Sequence, residues 1–128
     1  MATPFTHKKL TDVKDSAAAF GYEHGEARFA REDLEGQDTG VSHHRVKPNE
    51  RQPFGHRHEN AEEVYVVMAG SGRLKLDDEI VEIERLDAIR VAPEVMRAFE
   101  AGAGGLEILA FGPRHDGDGE VVPGWWSD

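Results

Sequence analysis

The chain of 128 residues contains no cysteine. That excludes disulfides, thiolate zinc sites, iron–sulfur clusters and thiol catalysis, and leaves the redox compartment open. It also lacks any apolar run long enough for a signal peptide or a membrane span, so a cytoplasmic protein is the expectation. Basic residues are scarce: 15 Lys and Arg stand against 25 Asp and Glu, a formal net charge of −10. A surface of that sign repels nucleic acid and anionic membranes, and neither is expected as a partner. No repeat and no low-complexity segment breaks the chain. Its length suits one domain, and burial at that size needs no covalent staple.

Glycine is plentiful, at 14 residues, and favours tight turns over long helices. One helix is expected, in "TDVKDSAAAFG" (11–21). Thr11 would cap it, Asp12 and Asp15 would face the helix dipole, and Gly21 would end it. Beyond it the pattern has period two. Strands are expected at 26–31, 40–47, 62–68, 72–76, 80–84, 88–91, 96–100 and 106–111. "AGSG" (69–72) and "GAGG" (102–105) read as turns, and "DDE" (77–79) as the turn of a hairpin. The segment after Phe111 reads as loop. Its tandem Trp125 and Trp126 are first of all apolar area to bury, and "DGDGE" (116–120) is an acidic loop without the ordered ligands of a calcium site. Many short strands with close turns argue for an antiparallel sandwich or small barrel.

The chemistry concentrates in "GHRHENAEEVYVVMAGSG" (55–72). On a strand His56 and His58 project to the same side, about 7 Å apart along the chain. Two imidazoles so placed can converge on one ion. Glu63 has the wrong parity for that face unless residues 59–62 form a turn or bulge. If they do, Glu63 heads the next strand and shares an inward face with Tyr65 and Val67.

This spacing resembles the first motif of the cupins: glycine, His-x-His, glutamate, then glycine. His56, His58, Glu63 and Gly70 match, and Glu50 replaces the leading glycine. Glu62 matches the shorter permitted spacing, but Ala69 would then replace the closing glycine. The second motif is met only in outline. Leu86, Ala92 and Glu94 stand for its glycine, proline and second glycine, and Ala101 for its asparagine. Arg97 stands where the family places a fourth metal ligand. The resemblance covers about residues 40–111. It implies an all-β fold, an antiparallel double-stranded β-helix or jelly-roll barrel of the small, single-domain, type-2-like kind. A helix-and-strand extension over 1–35, a barrel over 36–112 and a tail over 113–128 packing on the barrel or on a second subunit complete the expectation. The resemblance also implies a homodimer, paired through N-terminal strands and barrel edges.

Arginine cannot ligate a metal. Two arrangements therefore stand open. In one, His56, His58 and Glu63 hold a divalent metal, and Arg97 holds a small anionic or polar molecule. An enzyme of dioxygenase or isomerase type would use that arrangement. Nitrogen and oxygen donors admit iron, manganese, nickel, zinc or copper. In the other, no metal binds and Arg97 pairs with Glu63 in a non-catalytic binding or structural barrel. Gln52 and Tyr65 share the expected inner face. At most one of the adjacent His43 and His44 also faces inward, and His44 is the expected pocket residue. His7, His24 and His115 are expected at the surface.

Overall fold

A computed structural model describes residues 4–113 and 117–127. Among them, eight strands form one strongly curled antiparallel sheet. Strand β1 (Gly25–Phe29) pairs with β2 (Thr39–Val46), and β2 pairs with β7 (Arg97–Pro113). Strand β3 (Phe54–His58) lies between the start of β7 and β8 (Gly119–Pro123). Strand β4 (Glu63–Leu76) runs antiparallel to β7 and also carries β5 (Glu79–Glu84) and β6 (Ala88–Val91). The alternating apolar residues of β4 and β7 fill the interior: Tyr65, Val67, Leu74, Phe99, Leu106 and Ile108 are all buried. No helix among the described residues is long and apolar enough to cross a membrane.

The helix is shorter than expected. A 3-10 turn, Leu10–Asp12, ends at the extended and buried Val13. Helix α1 is only Ser16–Ala19, capped by Asp15 rather than Thr11. The Asp15 carboxylate accepts from the backbone N–H of Ala17 at 3.0 Å and from that of Ala27 on β1, also at 3.0 Å. One side chain thus starts the helix and ties it to the sheet. Gly21, at φ 79°, closes it as expected.

Both glycine-rich stretches were expected as turns, and both instead lie inside strands. "AGSG" falls within β4, where register shifts occur between Val67 and Ala69 and between Gly70 and Gly72. "GAGG" falls within β7, opposite it. Bulges need glycine for the same reason turns do, namely backbone freedom and close approach, and they bend a strand without ending it. The C-terminal segment also departs from the loop expectation. Its 119–123 run is β8, in register with β3. Trp126 Nε1 donates to the Gln52 carbonyl at 2.8 Å, and Lys75 Nζ lies 4.2 Å from the Trp125 ring. His115 and Asp116 lie outside the described residues.

Gly70 closes the first motif, and its place in the fold shows why a glycine stands there. Its φ is 79°, and a Cβ built on it would run into the Gly105 carbonyl across the ladder. Gly70→Ala combines the left-handed penalty with a backbone clash, so it should cost at least ~2 kcal/mol in urea unfolding.

Candidate functional site

Residues 59–62 lie outside any strand, so the parity reset needed by Glu63 takes place there. Glu63 opens β4, and Tyr65 and Val67 follow it on the inner face. His56 and His58 face the same interior from β3, with ring centroids 5.5 Å apart and nearly perpendicular planes. Arg97 opens β7 directly opposite His56 in the register.

These side chains converge on one atom. Glu63 Oε1 lies 3.5 Å from His56 Nε2 and 3.3 Å from His58 Nε2. It accepts from the Tyr65 hydroxyl at 2.6 Å and from an Arg97 terminal nitrogen at 2.7 Å. Burial alone would raise the Glu63 pKa. Hydrogen bonds from His56, His58 and Tyr65 outweigh it and hold the carboxylate far below its usual range. Tyr65 is pushed up, first by burial and then by the Glu63 charge, so its hydroxyl stays protonated and donates.

Arg97 is 0 % exposed. Its Nε donates to the Tyr65 oxygen at 3.0 Å, and one terminal nitrogen donates to the Pro93 and Val95 carbonyls at 3.1 and 2.7 Å. With the bond to Glu63, both terminal nitrogens and Nε are held by protein. The guanidinium is locked inside the barrel and has no donor nitrogen left unbonded.

By distance, His56, His58 and Glu63 could hold a metal ion: one donor atom from each lies within 4.8 Å of the others. Separations of 3.3 and 3.5 Å also suit a common centre about 2.0–2.1 Å from each. The Arg97 guanidinium, 2.7 Å from the same Glu63 oxygen, counts against an ion there. Two unit charges 4 Å apart interact by about 4 kcal/mol at an effective dielectric of 20, so a divalent ion beside a guanidinium meets roughly twice that in repulsion. Arg97 cannot retreat without stranding two carbonyls and a tyrosine oxygen.

The other expected pocket residues take different places. His44 stands on the inner side of β2, its Nε2 2.8 Å from Ser42 Oγ. Burial first, then the neighbouring His56, pushes its pKa down to about 4, so it is neutral at pH 7. His43 points the other way and meets Glu107 at 2.6 Å. Gln52 is buried, and its side-chain oxygen accepts from the Phe99 N–H at 3.0 Å, so it braces β7 from outside the cluster. His24 is half-buried against Tyr22 and Phe54 rather than at the surface. Glu62 faces outward to Arg90, which leaves Glu63 as the inward acid.

Sequence reasoning missed Asp118. Its Oδ1 lies 2.9 Å from His58 Nδ1, and its Oδ2 accepts from the Asn60 and Ala61 N–H groups, both at 3.0 Å. It orients His58 and also fixes the 59–62 turn. The only signal was the apolar pair Val121 and Val122 after the acidic stretch, which marks a strand able to carry that carboxylate to β3. A cavity of about 160 Å3 opens over the cluster, with Phe29, Ser42, His58, Ala61, Glu63 and Asp118 among its walls.

His58 and Asp118 give the site a pH signature. The Glu63 hydrogen bond raises the His58 pKa, against burial and with help from Asp118. Stability from that shift is complete below the unfolded value near 6.5 and is lost as pH rises through the folded value. Burial would raise Asp118, but the Asn60 N–H, His58 and the Ala61 N–H together lower it. Its contribution is present above the unfolded carboxylate range and disappears as pH falls through the folded value. The stability lost in Asp118→Asn should therefore peak at weakly acidic pH and shrink on both sides, as read by urea melts from pH 3 to 9.

No family model matches the chain, and no curated protein does. Solved structures do. A cupin protein from Bacteroides fragilis is 19 % identical, with a TM-score of 0.72 over 91 % of this chain and 89 % of that one. The polyketide cyclase RemF from Streptomyces resistomycificus is 23 % identical, with a TM-score of 0.75 over 96 % and 87 %. Streptomyces PAC13, in a variant form with uridine, is 17 % identical, with a TM-score of 0.68 over 89 % and 88 %. The curled antiparallel sheet, with its paired histidines and glutamate facing inward, has the fold of the cupin superfamily.

Proposed function

We propose that this chain is a small-molecule-binding cupin whose barrel site works without a metal. The Arg97–Glu63 ion pair stands where an ion would otherwise be held. The observation that carries this reading is the state of Arg97: fully buried, and bonded to Glu63, Tyr65, Pro93 and Val95. Ser42, His58, Glu63 and Asp118 then give the cavity a hydrogen-bonded polar side. The cavity is smaller than the roughly 300–1,000 Å3 of drug-sized clefts, so the guest is small. The uridine with PAC13 supports a small polar guest in a barrel of this size.

A second reading, a divalent metal on His56, His58 and Glu63, is favoured by the mutual spacing of their donor atoms. Metal analysis separates the two. Protein purified without added metal should carry far less than one equivalent of any transition ion, whereas Arg97→His should take up about one. Stoichiometric metal in the native chain would sink the first reading in favour of the second. Arg97→Met should cost ~3–5 kcal/mol in urea unfolding, because it leaves the Glu63 charge without its buried counterion.

The homodimer implied by the cupin resemblance is supported by open sheet edges. Strand β5 pairs only with β4 among the described residues and leaves Ile80 and Val81 exposed. Light scattering should give a mass twice that of the 14.2 kDa chain, and Ile80→Lys should lower it.

A further inference from the structure

Resting on that reading of the barrel as a small-molecule site, we infer that Arg31, not Arg97, is the cation that recognises the guest, and that the guest is a small carboxylate with an apolar flank. Arg31 follows β1 and lines the same cavity as His58 and Glu63. It is half-buried, and one terminal nitrogen donates to the Gly112 carbonyl at 2.9 Å. Its Nε faces the Thr39 carbonyl at 3.5 Å. These are backbone partners, so the side chain is positioned but not neutralised. Among the described residues no carboxylate lies within ion-pair distance of it. In a chain with ten more acids than bases, an arginine held in a cavity wall without an acid is a cation kept for something else.

The backbone beneath it is cut to fit. A Cβ on Gly40 would lie 2.6 Å from both Nε and a terminal nitrogen of Arg31. Only glycine at that position lets the guanidinium lie flat against β2. The fork of N–H groups left over suits a carboxylate, which it can meet through two parallel bonds. Beside Ser42, His58 and the two carboxylates Glu63 and Asp118, which are already held by Arg97 and His58, the cavity has apolar lining from Phe29, Val41, Ala61 and Ala110, which a bare inorganic anion does not use.

Sodium propionate, propionamide and inorganic phosphate, titrated at constant ionic strength and followed by the backbone amides of Ser42, His58 and Gly112, test this. Propionate should saturate these shifts, while propionamide and phosphate should not. Arg31→Gln should weaken propionate binding about ten-fold or more, as expected for a lost charged hydrogen-bond pair. Gly40→Ala should act in the same direction with the arginine still present, and it keeps the test open if Arg31→Gln does not fold. Propionate bound with undiminished affinity by both variants would overturn the role of Arg31 and leave the cavity reading intact. Phosphate bound in preference, or no response to propionate at all, would overturn the carboxylate assignment. Stoichiometric metal in the native protein would overturn the metal-free reading and leave the Arg31 result to stand on its own.

Discussion

The buried contact between Arg97 and Glu63 is the constraint on which the interior depends. An isolated charge in such a place costs several kcal/mol of lost hydration. Here each charge lies 2.7 Å from the other, the other Arg97 nitrogens meet Tyr65 and two carbonyls, and Glu63 Oε1 also meets Tyr65 and two histidines. A pair satisfied in this way is neutral overall, so it tolerates burial. It also takes the Glu63 oxygen out of competition, because Oε1 already accepts two short hydrogen bonds. Whatever enters the cavity meets a carboxylate whose charge is already balanced.

That contact also explains the shape of the sheet. Glu63 and Arg97 are the first residues of β4 and β7, two long strands that pair antiparallel. In that ladder Arg97 stands opposite Leu76, and Val64 stands opposite Phe111. In a flat sheet the starts of the two strands would lie roughly 40 Å apart. They meet because the sheet folds over on itself. The bulges around Ala69 and Gly72 supply bend and twist near the middle of β4, and the glycines of β7 lie close to them. The glycines that looked like turns are therefore what allows two distant strand ends to share one ion pair.

The same distinction marks what could be read in the residues. His56, His58 and Glu63 were legible because their spacing is local: one strand, one turn, one strand start. Arg97 was legible as an occupant of the fourth-ligand place, but not as a fully bonded one, since its partners Pro93, Val95 and Tyr65 become neighbours only through folding. Gly70 and Gly105 were visible as glycines, yet turn and bulge demand the same freedom, and only the partner strand decides between them. Asp118 and Arg31 were not legible. Each reaches the site from a segment joined to it by strand pairing, β8 on β3 and β1 on β2, across long stretches of sequence. The short helix failed for a different reason. Val13 is drawn into the core in an extended conformation, and that burial outweighs the helical preference of the residues around it.

Two arginines near one cavity need not do the same work, and their surroundings separate them. Arg97 has no exposure, so its charge had to be cancelled by the protein itself, and Glu63 does so at short range. Arg31 keeps contact with water, which screens its charge well enough for it to stand beside carbonyls alone. A small carboxylate that displaces that water gains a partner whose geometry is already set. At Arg97 the same carboxylate would have to break an existing buried pair and leave Glu63 uncompensated, a penalty that a guest of this size cannot repay with new contacts. The difference in exposure thus divides the two cations between one that completes the barrel and one that faces its contents.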